Sequence, residues 1–254
     1  MPLVSTSLLA DPLLEGCRGR AAGYDRDNRF CQEDFDELKA AGYLKMALPK
    51  EFGGYGLTLA EAGRETRRLA TYAPATALCL NMHHYWVGLA ADVWRSGDKS
   101  VEWILRDAGA GEVFAAGHAE SGNETSVLMS ITKAERVDGG YKFTGRKSFG
   151  SLSPVWTRFG LHGMDTSDPS APKVVHAFMP RDTKGYTIKE TWDVMGMRDA
   201  QRRYAARGRL HPRQIHCARG AGRVCRRRLL HPRYFRVGAR RFRQRLLRSG
   251  PARD

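Results

Sequence analysis

The sequence predicts an α+β protein, with an N-terminal α-helical domain over residues 1–110 and a small antiparallel β-domain over residues 111–199. Two observations carry this. Apolar residues recur at helical spacing as far as about residue 110, and from Glu112 the period shortens to two and turn residues punctuate it. A third observation bounds it: beyond Ala200 neither period persists and arginine takes over the chain. Residues 200–254 are therefore expected to form an irregular Arg-rich tail.

Each element has a local reason. Phe30, Phe35 and Leu38 make an apolar stripe among acidic and lysine positions, and Gly42 suits the left-handed residue just past a helix end. Thr58 and Glu61 have the spacing of a capping box, which predicts a helix running through Thr71. Pro74 fits a first helical turn, where its missing N–H costs nothing. Ala75 to Arg95 is apolar on nearly every side, so a buried central helix should end before Gly97. Ser100–Asp107 reads as a short helix, followed by a Gly/Ala linker at 108–111. Val127–Val137 and Tyr141–Thr144 flank the turn Asp138-Gly139-Gly140, a hairpin signature. Val155–His162, Lys173–Met179 and Tyr186–Lys189 read as further strands separated by turn-rich segments.

Charge separates the body from the tail. The chain holds 42 Lys+Arg against 27 Asp+Glu, a formal net charge of +15. From Arg202 to Arg253 there are 18 arginines and no lysine, and the acidic residue after Ala200 is Asp254. The first 201 residues carry 24 basic and 26 acidic side chains, a net charge of −2. The basicity belongs to the tail. No run of 18 or more apolar residues occurs, which argues against a membrane helix. Pro2 to Leu14 is only briefly apolar, lacks a basic start and meets Asp11, which argues against a signal peptide. Cys17, Cys31, Cys79, Cys217 and Cys225 are scattered without a CxxC pair, the pattern of free thiols in a reducing cytoplasm.

Two tempting motifs carry no chemistry. His83 and His84 are sequence neighbours on a predicted helix, so they point in different directions and cannot share a metal. Gly53-Gly54-Tyr55-Gly56 follows no predicted strand and lacks the GxGxxG order, so it reads as a turn. No metal site is expected.

Three blocks of residues have more specific content. The first is Phe35-x-x-Leu38-x-x-x-Gly42-Tyr43-Leu44, followed by Leu48-Pro49-x-Glu51-Phe52-Gly53-Gly54-x-Gly56-Leu57. The second is Tyr141-x-Phe143-x-Gly145-x-Lys147-x-Phe149, and the third is Trp192-Asp193-x-Met195-Gly196-Met197-Arg198. In this order and spacing, across residues 30–198, they resemble the acyl-CoA dehydrogenase family of flavoproteins. The resemblance implies N-terminal helices, a middle β-barrel and a C-terminal four-helix bundle, with FAD between barrel and bundle. It also implies that the flavin-touching positions fall on Ala119, Glu120, Thr125, Phe149 and Ser151, with Arg198 near the substrate; His118, just before them, is a candidate donor to the flavin, and a strand histidine without a function is the equal alternative. Ala119 stands where the family usually has a hydroxyl residue, and Ser121 replaces a proline. Glu120 could act as an acid or base, but a hydrogen-bonded side chain at a strand end is the plainer reading.

The resemblance implies α,β-dehydrogenation of an acyl-CoA thioester, with an electron acceptor as partner. The family's base must reach the substrate's α-proton, and in its main branches it comes from the bundle. The Arg-rich stretch matches neither that bundle nor its base, so little or no activity is expected, and the family's tetramers, built through the bundle, are doubtful here. The runner-up of the same fold is a two-component flavin monooxygenase using reduced flavin and O₂.

The tail itself admits two readings. His211 to Arg219 can be encoded so that a one-nucleotide shift reads Ile-Pro-Asp-Lys-Tyr-Ile-Ala-Arg, a family-like phrase. GC-rich coding read out of frame yields CGN arginines and almost no lysine, so a frameshift explains the composition. The competing reading is a nucleic-acid-binding tail, since arginine neutralises phosphate. Its aromatics are sparse (Tyr204, Tyr234, Phe235, Phe242) and no reader motif is present, so such binding would be non-specific.

Overall fold

The computed structural model describes residues 7–120, 129–138 and 140–198, and the backbone of 201–205. Five α-helices come first: α1 (Asp11–Asp27), α2 (Gln32–Ala40), α3 (Leu59–Ala70), α4 (Pro74–Arg95) and α5 (Glu102–Gly109). Local chemistry sets their ends. α2 gives way at Ala41 to Gly42, whose φ of 81° is left-handed. Thr58 and Glu61 form the expected capping box at the start of α3. Pro74 opens α4, which stops before Gly97, φ 91°. The last helix runs through Ala108 and Gly109, two residues into the expected linker. α1, which begins with Pro12 in its first turn and ends at left-handed Asn28, had no apolar stripe strong enough to announce it.

A buried carboxylate ties these helices together. Asp34 on α2 accepts from Arg20 Nε (2.7 Å) and Tyr24 Oη (3.2 Å) on α1 and from Thr76 Oγ1 (3.0 Å) on α4. On α4, His83 Nδ1 accepts from the Phe114 N–H at 3.1 Å, so the opposite nitrogen carries the proton and donates to Leu44 O at 3.0 Å. His83 is thus a brace between α4, the turn Tyr43–Lys45 and the first strand, as expected of a structural histidine. His84 instead packs its ring against Tyr43 at 5.0 Å.

The strands are β1 (Phe114–Gly117), β2 (Lys133–Val137), β3 (Gly140–Thr144), β4 (Gly150–Ser151), β5 (Arg158–Asp165), β6 (Lys173–Pro180), β7 (Thr187–Lys189) and β8 (Gln201–Ala205). One sheet has the order β1-β5-β2-β3 with β6 also paired to β5, and a smaller sheet has the order β4-β8-β7. The hairpin β2–β3 is antiparallel, as its turn requires, and so is β5–β6. β1 runs parallel to β5, from Phe114↔Arg158 to Gly117↔Leu161, and β2 meets β5 in parallel at Lys133↔Met164. The sheet is therefore mixed, a correction to the antiparallel expectation, and the described strands do not close into a barrel. Alternating hydrophobicity reports which faces are buried; it does not report strand direction.

Residues 200–254 are expected from the sequence to be irregular, yet β8 at their start pairs with both β4 and β7, a correction to that expectation. Backbone pairing needs no side-chain period, which is why composition missed it. The rest of the tail, residues 206–254, lies outside the described residues, as do Val127, Leu128 and Gly139.

α4 packs on the large sheet through Trp86. Its indole N–H donates to Ala115 O at 3.0 Å, and a Cβ at Gly160 would lie 2.5 Å from Trp86 Cζ2. Only a glycine lets the helix approach this strand. The hairpin is anchored through Asp165, which accepts from Arg136 (3.0 Å) and Tyr141 (3.2 Å). Among the described residues, no helix is long and apolar enough to cross a membrane.

Candidate functional site

The site grows from the end of β1. At Gly117 the strand hands over to His118-Ala119-Glu120, and the Ala119 carbonyl accepts from the Ser148 N–H at 2.8 Å. That bond draws the 148–151 segment beside residue 119. The segment is bent: Phe149 has φ 57° and Leu152 φ 64°, and the Ser151 N–H closes back onto Phe149 O at 3.1 Å. Left-handed backbone at two bulky residues is costly and needs surrounding structure to hold it. One consequence is that Phe149 is 51% exposed, its ring standing out beside Ala119, while Ser151 is buried in β4. Backbone hydrogen bonds thus link the segments that carry Ala119, Phe149 and Ser151, and Thr125 lies outside the described residues.

Glu120 has a different occupation. Its carboxylate accepts from Lys147 Nζ (2.7 Å), Ser130 Oγ (2.8 Å), the Ile131 N–H (2.9 Å), the Thr132 N–H (3.0 Å) and, more closely, the Thr132 hydroxyl. Both ion-pair partners are almost completely buried. Burial opposes ionisation of Glu120, but the Lys147 ammonium and the hydrogen bonds outweigh it and hold the carboxyl well below its usual range. This is a structural clamp between the end of β1 and the 130–132 segment, and it accounts for two motif residues at once. Lys147 is the clamp's cation, and a Cβ at Gly145 would meet Thr132 Oγ1 at 2.2 Å. Glu120 and Lys147 stood in the matched region of the sequence, but nothing in their spacing paired them.

His118 turns its ring inward. It packs edge-on against His162 (5.0 Å), Trp86 (5.4 Å), Tyr85 (5.8 Å) and His176 (5.8 Å). Burial, then the neighbouring imidazoles and Lys147, lower His118 to about 3; burial and the same neighbours lower His176 to about 4. These rings are neutral at ordinary pH. His162 Nε2 donates to Met129 O at 3.1 Å, so its tautomer is set. Sequence inspection missed this cluster because its members come from β5, β6 and the end of β1. Among the described residues, no group of three or more His, Cys, Asp or Glu could hold a metal ion.

Arg198 sits in a loop pinned to the helical layer. It pairs with Asp193 at 2.8 Å, Trp192 Nε1 donates to Met197 O at 3.2 Å, and Asn28 Nδ2 donates to Trp192 O at 2.6 Å. The Trp192 ring meets Phe149 edge-on at 5.6 Å. A separate cleft of 690 Å³ opens between α3, α4 and the preceding loop, lined among others by Leu57, Ala62, Thr66, Asn81, His84 and Tyr85. Tyr85 is shared: it walls the cleft and touches His118. The arrangement offers an exposed aromatic ring beside backbone polar groups, joined through Tyr85 and His118 to a cleft.

Comparison with known proteins agrees with the family resemblance. Residues 12–101 match the acyl-CoA dehydrogenase, N-terminal domain, family. The amino sugar nitrososynthase DnmZ of Streptomyces peucetius is 28% identical over 198 residues, covering 76% of this chain and 47% of that protein. The putative acyl-CoA dehydrogenase YdbM of Bacillus subtilis is 30% identical over 182 residues, covering 70% of this chain and 46% of its own length. Dibenzothiophene monooxygenase of Rhodococcus qingshengii is 28% identical over 192 residues, covering 75% and 45%. The structure of KijD3 in complex with FMN and dTDP-3-amino-2,3,6-trideoxy-4-keto-3-methyl-D-glucose superposes with a TM-score of 0.70 at 28% identity, over 80% of this chain and 51% of that one. The chain spans about half the length of the curated relatives it matches. Through its N-terminal and middle domains, the chain is acyl-CoA dehydrogenase-like.

Proposed function

We propose that this chain carries the helical and sheet side of a flavin site in a flavin-dependent oxidoreductase. The observation that carries the reading is the convergence of Ala119, Phe149 and Ser151, with the exposed Phe149 ring braced on one edge. In this reading Phe149 covers the flavin ring. The backbone around Ala119 serves its polar end, with Thr125 from the adjoining segment, and Ser151, buried in β4, holds the bent segment from behind. His118 contributes by holding the strand end in place, because its ring faces inward. Arg198 lies toward the substrate. The bound flavin would supply the redox chemistry, and the protein would supply orientation and electronic tuning.

The two chemistries of this fold are about equally supported, and oxygenation with reduced flavin and O₂ is the one we place first. Glu120 is committed to Lys147, so a base for dehydrogenation would have to come from outside the described residues. Ala119 offers no hydroxyl. A nitrososynthase and a monooxygenase are among the similar proteins, and KijD3 was solved with FMN, so FMN is favoured over the FAD that the resemblance first implied. Acyl-CoA dehydrogenation is the second reading, favoured by the 30% identity to YdbM. The cleft beside Tyr85 is where a substrate's bulk would lie. Supplying the chain with FMN, a flavin reductase and O₂ in one arm, and FAD with an acyl-CoA series and an electron acceptor in the other, separates the two. Oxygen-dependent product in the first arm supports oxygenation; acceptor reduction in the second alone supports dehydrogenation.

The arginine-rich composition is best explained by a frame change in the gene, so that residues beyond β8 do not encode the family's final bundle. Sequencing the gene across codons 195–215 tests this, and an intact frame ends it. A salt titration of duplex binding tests the alternative nucleic-acid role, in which affinity would fall steeply with salt.

A further inference from the structure

We propose that Trp192 is a positioning residue for the flavin site, holding Phe149 at the angle from which it covers the ring. The inference rests on the flavin reading above. Phe149 combines a left-handed backbone with a half-exposed ring, a conformation that its own chemistry does not favour. The backbone is held by the Ser148 N–H to Ala119 O and the Ser151 N–H to Phe149 O. The ring is braced by Trp192, at 5.6 Å and an interplanar angle of 83°, the edge-to-face geometry that aromatic quadrupoles prefer.

Trp192 is itself held from two sides. Its indole N–H donates to Met197 O, and its carbonyl accepts from the Asn28 side chain at the end of α1. Asn28 is left-handed, φ 48°, a conformation that asparagine tolerates better than most residues, and so its amide can leave the helix axis and reach the loop. The Arg198–Asp193 pair closes the same loop. The result is a clasp from α1 through residues 192–198 to the aromatic beside Ala119. It gives the Trp-Asp-x-Met-Gly-Met-Arg block a role that does not depend on substrate contact.

The test uses the full chain carrying 4-fluorophenylalanine at position 149, with FMN as the probe. In the unliganded protein, Trp192→Ala should move the fluorine resonance toward its free value, Trp192→Phe should restore most of the shift, and Asn28→Gly, which keeps the backbone angle, should broaden or move it. In FMN titrations followed by flavin fluorescence, Trp192→Ala should weaken binding about tenfold and alter the bound flavin's visible band, while Trp192→Phe stays within about threefold. A fluorine resonance that ignores Trp192→Ala overturns the clasp. A resonance that moves while FMN affinity and spectrum do not overturns the positioning role alone. Wild-type chain that binds no FMN overturns the flavin reading and the positioning role together, and the fluorine result then stands as a statement about the loop only.

Discussion

At the scale of residues, the site is built from groups whose partners come from distant parts of the chain. Glu120 and Lys147 are the clearest case. Removing one member of a buried pair leaves the other charged and unpaired, at a cost of about 3–5 kcal/mol. Lys147→Met should therefore destabilise the protein strongly in urea unfolding, and Glu120→Gln combined with Lys147→Met, which removes the unpaired charge but keeps an acceptor for the Ile131 and Thr132 N–H groups, should recover part of the loss. If the single and double variants were equally unstable, the clamp would not be what holds the end of β1. The histidines make a pH prediction. His83, His118 and His176 are buried neutral, with folded-state values of about 4, 3 and 4 against about 6.5 when unfolded. Between those limits the unfolded chain binds more protons, so stability should fall steadily as pH drops from about 6.5 toward 4. Replacing His118 with Phe should flatten that slope, measured as the urea midpoint against pH. Ala119, Phe149 and Ser151 are legible in the sequence only as what the family resemblance implies. The sequence could not supply Lys147's partner, the inward turn of His118 or the Asn28–Trp192 bond, because each depends on a contact between segments far apart in the chain.

At the scale of elements, legibility followed local chemistry. Helices α2, α3 and α4 were readable because their ends carry a left-handed glycine, a capping box and an N-terminal proline. α1 lacked such a signal beyond Pro12, and β1 was too short to show a period. Thr58→Ala removes the side-chain acceptor of the capping box and should lower stability by about 1 kcal/mol, read from thermal or urea unfolding. Gly160→Ala tests the helix–sheet contact, since the added methyl would overlap the Trp86 indole; a loss of about 1–3 kcal/mol is expected. An unchanged unfolding midpoint would mean that α4 can retreat from β5 without consequence. Strand direction was legible for the β2–β3 hairpin, whose turn fixes it, but not for the parallel β1–β5 pair, whose strands are far apart in the chain.

At the scale of the whole molecule, two described layers present an aromatic on a bent backbone segment and, separately, a cleft walled by Tyr85, which touches His118, and the charge imbalance lies beyond them. The helical and sheet layers follow from patterns that any reader of the sequence can find; the mixed topology and the clasp do not. The central claim is that the Phe149 region binds a flavin ring. It is tested most directly by titrating FMN with the chain and following flavin fluorescence, alongside Phe149→Ala. The account predicts quenching on binding by the wild type and affinity weakened about five- to tenfold in the variant, with its unfolding midpoint little changed. Equal affinity in the two proteins, or no binding by a wild type that is demonstrably folded, would contradict it.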